Sequence, residues 1–226
     1  MLNIMLSANV FDFLKALQRH NNREWFNDNR RWYLTVKEEF DLLVTGLIME
    51  VHSLDPQVQV FPARDYIFRI YRDTRFSPDK TPYKTNLGAY LSRNGKNGGY
   101  AGYYVHVEPG ACMLAGGLYM PPAPVLKAVR REIYDNTEEF LDIINHRAFK
   151  KHFGEISGEM LKRPPAGYQP DYPHIHLLKF KSYTIYKDIP DTMVVSEIFL
   201  HEAREVFSAM VPFNRFLNQA IDNTGP

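Results

Sequence analysis

Residues 86–120 read NLGAYLSRNGKNGGYAGYYVHVEPGACMLAGGLYM, and the punctuation of this stretch decides the fold. The runs NLGAYLS and GYYVHVE flank RNGKNGG. Asn94-Gly95 and Asn97-Gly98-Gly99 offer the positive-φ positions that reverse an extended chain. The spacing therefore predicts a β-hairpin with a loop longer than two residues. Pro109-Gly110 turns the chain again, and ACMLAGGLYM reads as the next strand. Upstream, YIFRIYR at residues 66–72 has the composition of a strand, and downstream SYTIYKDI at residues 182–189 reads as another.

On either side of this region the period changes from two to between three and four. Phe11, Leu14 and Leu17 share one helical face, and Asn21 and Glu24 have the spacing of a capping box. Tyr33, Val36, Phe40, Leu43, Leu47, Val51 and Leu54 then form one apolar stripe on a long helix. Asp55-Pro56 ends it, because the residue before proline avoids the helical region. PPAPVLKAVRREIYDN and TEEFLDIINHRAFKKHF predict two further helices, separated from the C-terminal helix by the proline-rich RPPAGYQPDYPHIH. Val211-Pro212 predicts a bend or break in that last helix. The expectation is one α+β domain over residues 1–226, an antiparallel sheet of about four or five strands packed with a long N-terminal helix and C-terminal helices.

Composition narrows the function classes. Hydrophobic residues make up 45% and charged residues 23% of the 226, an ordinary balance for a globular protein rather than a disordered one. A net charge of +1 gives no whole-molecule field toward nucleic acid or membrane. Cys112 is the one cysteine, so no internal disulfide forms, which fits a reducing compartment. The first ten residues lack the features of a secretory leader, and no apolar run reaches the ~20 residues of a membrane-spanning helix. The expected location is the cytoplasm, with no membrane partner.

Against this neutral background, RIYRDTRFSPDKTPYKTN at residues 69–86 stands out. It gathers Arg69, Arg72, Arg75, Lys80 and Lys84 against only Asp73 and Asp79. On an extended strand Arg69 and Tyr71 share a face with Ile67, and Phe68, Ile70 and Arg72 share the other. Ser77-Pro78 and Thr81-Pro82 stiffen the turns that follow. A stiff loop holds guanidinium forks and ammonium charges at fixed separations, as recognition of a phosphate or carboxylate requires. The competing reading is structural: Asp73 and Asp79 pair with Arg75 and Lys80, and the network pins the loop to the sheet.

The chain also resembles a known family. NNREWF at residues 21–26, the whole of residues 69–86, YYVHVEPG at 103–110, GGLYMPP at 116–122 and LKRPPAGY at 161–168 look like the bacterial and fungal DUF2461 family. The matching positions in the central motif are Arg69, Arg72, Asp73, Arg75, Phe76, Ser77, Asp79, Lys80, Pro82, Tyr83, Lys84 and Asn86. The resemblance spans nearly the full length and implies a compact cytosolic α+β domain. It carries over no catalytic residue.

The residues themselves suggest a site for a small anionic ligand, with Arg69, Arg72, Arg75, Lys80 and Lys84 supplying charge and Tyr83 and Asn86 orienting the ligand. Asp73, His106 and Glu108 are the proton-transfer candidates, since His106 and Glu108 alternate onto one face of a strand. Adding His174 and His176, on an extended HIHLL, would make a metal cluster, but the spacing is weak and packing histidines are the expectation. No cofactor fingerprint is present: the glycines lie in hairpin context, without a βαβ unit. Cys112 is expected to be a buried apolar residue. Trp25 and Trp32, seven apart, are expected to pack on the core with a polar flank. Nucleic acid, stacked on Tyr71, Phe76 and Tyr83, is the less favoured partner, and a protein-interaction domain with a purely structural loop is the third reading. The oligomeric state is not legible.

Overall fold

A computed structural model describes residues 5–223. The chain runs through α1 (Ala8–Arg19), α2 (Arg23–Asp28) and α3 (Arg30–Leu54), then β1 (Leu87–Leu91), β2 (Gly102–Val107) and β3 (Met113–Leu118). It continues through α4 (Ala123–Asp135), α5 (Thr137–Asn145), α6 (Arg147–Phe153) and α7 (Ile175–Leu178) to β4 (Tyr183–Asp188), α8 (Asp191–Val194) and α9 (Phe199–Asp222). The strands form one antiparallel sheet in the order β1-β2-β3-β4. This is the α+β architecture expected from the change of period.

Alternation on the strands sends two sets of side chains to opposite faces. Leu87, Ala89, Leu91, Tyr103, Val105, Val107, Leu114, Tyr183 and Ile185 are buried on one face. They meet the stripes of α3 (Phe40, Leu43, Leu47, Val51) and α9 (Val206, Phe207, Met210, Phe213, Leu217), which are buried in turn. Gly116 lets α9 come close, because a Cβ there would lie 2.7 Å from the Met210 thioether. Two buried asparagines fix the register of α9 on the sheet. Asn218 accepts from the Ala101 amide (2.8 Å) and donates to the Ala101 carbonyl (3.1 Å), while Asn214 donates to the Gly102 carbonyl (2.9 Å).

Four local expectations are corrected. Residues 66–72 are not a regular strand. They run beside β1 through an isolated Ile67–Ala89 bridge, with Phe68 donating to the Gly88 carbonyl and Tyr90 to that of Tyr66. They then leave it to pair Tyr71 with Tyr83 inside the basic loop. The N-terminal cap of α2 is Asn22, whose Oδ1 accepts from the Trp25 amide at 2.9 Å. Asn21, one residue earlier, instead brackets Tyr83: its Nδ2 donates to the Tyr83 carbonyl (2.9 Å) and its Oδ1 accepts the Tyr83 amide (3.1 Å). The HIHLL segment is not extended, because His174 caps and His176 lies within α7. Finally, α9 passes through Pro212 without interruption. Pro212 faces solvent, and the buried residues on both sides of it hold the helix against the sheet.

The remaining helical joints have simple causes. Asn29, at φ −99° and ψ 18°, separates α2 from α3, and its backbone amide (3.0 Å) and Nδ2 (2.9 Å) both donate to the Trp25 carbonyl. His146, at ψ 142°, separates α5 from α6 and caps the latter by accepting from the Ala148 amide. No helix among the described residues is long and apolar enough to cross a membrane.

Candidate functional site

The helices α3 and α9 cover one face of the sheet, and the other face lies open as a trough of about 1450 Å³. Its floor is the second set of alternating residues: Tyr90 on β1, Tyr104 and His106 on β2, Met113, Ala115 and Gly117 on β3, and Thr184 and Tyr186 on β4. Three strand spacings make the floor about 14 Å wide, enough for a ligand of drug-like size. The walls are unequal. Phe68, Lys84 and Asn86 stand at the β1 edge, and Asp188 and Asp191 at the β4 edge. Tyr119 and Met120, 79% and 71% exposed, form an apolar lip beyond β3.

The basic loop contributes to this trough only in part. Arg72 donates to Asp79 and to the Thr81 hydroxyl, and Arg75 forms a two-pronged pair with Asp73 (2.7 and 3.0 Å). Lys80 donates to the Thr74 carbonyl at 2.9 Å. The hydrogen bonds from Arg75 hold the Asp73 carboxyl down at about 2. Those from the Thr81 amide, Arg72 and the Thr81 hydroxyl hold Asp79 at about 2. These three cations are matched within the loop. Tyr83 is 4% exposed, stacked on Phe26 with ring centroids 3.9 Å apart, and anchors the loop to the N-terminal helices.

Arg69 and Lys84 differ from the other cations of the loop. Among the described residues, neither has a carboxylate partner within ion-pair distance or a side-chain hydrogen bond, whereas Lys80, which also lacks a carboxylate, donates to the Thr74 carbonyl. The Lys84 ammonium lies 5.2 Å from the centre of the Phe68 ring. Burial, and then the nearby Arg69 charge, push the Lys84 pKa below its usual value. Lys84 lines the trough, and Arg69, which stands outside the lining, acts electrostatically on both the Lys84 ammonium and the Asp73 carboxylate.

On the floor, a chain of hydrogen bonds joins residues that sequence alternation brings onto one face. Tyr104 Oη lies 2.8 Å from His106 Nδ1, and His106 Nε2 lies 3.0 Å from Glu108 Oε2. Thr85 donates to Glu108 Oε1 at 2.8 Å. Glu108 accepts at both oxygens, as a carboxylate does, so Nε2 carries the imidazole proton and Nδ1 accepts from the Tyr104 hydroxyl. Burial, and then the Glu108 charge, raise the Tyr104 pKa to about 12. Gly88 makes room for this arrangement: a Cβ on Gly88 would sit 2.6 Å from Tyr104 Oη. The pairing of His106 with Glu108 is legible from the i, i+2 alternation. Tyr104 precedes His106 by the same step and is the member that sequence reasoning missed.

Asp73 lies in the loop pairing with Arg75, away from this chain of bonds. Cys112 is buried, and burial pushes its thiol up to about 12. Trp25 and Trp32 pack around Phe13, and the Trp32 indole donates to Asn9 at 2.7 Å. Among the described residues no group of three or more His, Cys, Asp or Glu side chains is placed to hold a metal ion.

A helix-backed antiparallel sheet with one uncovered, aromatic-floored face defines a two-layer α+β protein with a broad surface trough. Residues 9–216 match the family model described as "Conserved hypothetical protein (DUF2461)", and the chain belongs to that family. Neither the curated proteins nor the solved structures yield a match.

Proposed function

We propose that the trough binds a small organic anion whose flat or apolar body lies on the sheet and whose carboxylate or phosphate sits at Arg69, Lys84 and Asn86. One observation carries the reading: Lys84 is desolvated beside a second cation, without an acid, at the rim of a large concave surface. Burying a cation without a partner is costly, and a ligand anion supplies the missing partner. The floor of Tyr90, Tyr104 and Tyr186 offers ring faces and edges to a planar body. Asp188 and Asp191 on the far wall repel a continuous phosphate backbone, which favours a compact anion over a polynucleotide.

The test is thermal unfolding in the presence of inorganic phosphate, benzoate, phenyl phosphate and adenosine monophosphate. The expected result is a rise in Tm of about 5 °C or more at a hundredfold excess over Kd for at least one aromatic anion. Lys84→Met abolishes the rise, and Arg75→Ala, which breaks only a pair internal to the loop, leaves it. No rise with any member of the panel overturns the reading.

A further inference from the structure

The chain of bonds through Tyr104, His106 and Glu108 has the connectivity of a nucleophile, its base and the group that orients the base. We propose that Tyr104 is a nucleophile for acyl transfer, with His106 as general base and Glu108 as the positioning residue. The substrate class is a small carboxylic ester whose body lies in the trough. This inference rests on the reading of the trough as a ligand site.

Three observations support it. The hydroxyl, both imidazole nitrogens and the carboxylate are joined at 2.8 and 3.0 Å in one unbranched line. His106 is only 9% exposed and pinned from both sides, and Thr85 pins the carboxylate, so the imidazole is held in one tautomer. Tyr104 also differs from the other tyrosines of the trough. The Tyr90 hydroxyl is committed to the carbonyls of Tyr100 and Gly117, both at 2.8 Å. Among the described residues, Tyr100, Tyr119 and Tyr186 make no hydrogen bond to an imidazole.

The chemistry balances without an outside reactant. Tyr104 Oη attacks the carbonyl carbon, and its proton passes to His106 Nδ1. The resulting imidazolium is stabilised by the Glu108 carboxylate at Nε2. Collapse of the tetrahedral adduct breaks the carbon–oxygen bond of the leaving alcohol, which takes the proton from Nδ1. The product is an acyl ester of Tyr104. Water, deprotonated by the same Nδ1, releases the acid and restores the phenol. Because the free phenol holds its proton at neutral pH, the base is required for attack rather than merely helpful.

The test uses two neutral electrophiles, phenylmethanesulfonyl fluoride and 4-nitrophenyl acetate, with mapping of the modified residue by mass spectrometry. The expected result is one modification per chain, at Tyr104, forming about tenfold or more faster than at the exposed Tyr119. His106→Gln slows it about a hundredfold, and Glu108→Gln slows it by a smaller factor, with Tyr119 unchanged in the same samples as the internal reference. Glu108→Asp restores part of the rate. Wild-type protein that is modified at Tyr119 and not at Tyr104 overturns the inference, as does equal modification at Tyr104 with and without His106. Neither reagent carries a negative charge, so Lys84→Met leaves the labelling intact. Loss of anion binding and loss of nucleophilicity are therefore separate results.

Discussion

Lys84 holds an ammonium group in a place that disfavours it. Burial and Arg69 both lower its affinity for a proton, in that order of size. A bound anion acts in the opposite direction and raises the pKa again. The sign of the linkage follows: ligand binding draws a proton onto Lys84 wherever the free protein has begun to lose it, below the ordinary value of 10.5. Under the proposed function, affinity is expected to be full at neutral pH and to fall as the pH climbs through the depressed pKa of the free state. Calorimetry of phenyl phosphate binding in two alkaline buffers of different ionisation enthalpy is expected to show proton uptake in the wild type and none in Lys84→Met. At this scale the sequence was partly legible. The i, i+2 step placed His106 and Glu108 on one face, and the prolines marked an ordered loop. Which cations the loop's own acids would match was not legible, because Asp79 reaches back seven residues to Arg72 rather than pairing with its neighbour Lys80.

At the scale of elements, the loop of residues 69–86 is a small folded unit. Hydrogen bonds from Arg75 to Asp73, and from Thr81 and Arg72 to Asp79, hold both carboxyls at about 2, below the ordinary carboxylate range. A depressed folded-state pKa contributes stability that is present above the unfolded value and lost as the pH falls through the folded one. The loop is therefore expected to keep its arrangement at pH 4 and loosen between about pH 4 and pH 2. Carboxyl and arginine Nε–H resonances of Asp73 and Arg75, followed by NMR, check this; coupled disappearance of the Arg75 signal already at pH 5 contradicts it. The neighbouring segment shows why local composition reads strands imperfectly. Residues 66–72 have the aromatic and β-branched content of a strand, yet they serve two partners. Tyr66 and Phe68 bond to β1, and Ile70 and Arg72 bond to Lys84 and Pro82 across the loop. Divided allegiance breaks the ladder, and no pattern in a single segment records it. The apolar stripe of α3 was plain in the sequence because it faces one continuous surface.

For the whole molecule, the decisive fact is that the layers are joined on one side only. Asn214 and Asn218 set where α9 lies on the sheet, and neither is distinguishable in sequence from a surface asparagine. Asn218→Ala is expected to cost about 2–4 kcal/mol, because the amide and the carbonyl of the buried Ala101 both lose their partner. Denaturation in urea checks the value, and a loss below about 0.5 kcal/mol would show that water replaces the side chain. The trough should be disturbed as well, since Ala101 leads directly into the strand that carries Tyr104 and His106.

The grip of Asn21 on both backbone groups of Tyr83 ties two stretches that lie 62 positions apart. A variant that removes or displaces Asn21 takes a tether from the far loop while leaving every residue of that loop in place. Lys84 is the next residue after the tethered one. Engineering at the amino end of this protein thus acts at a distance on the rim where a ligand would first arrive.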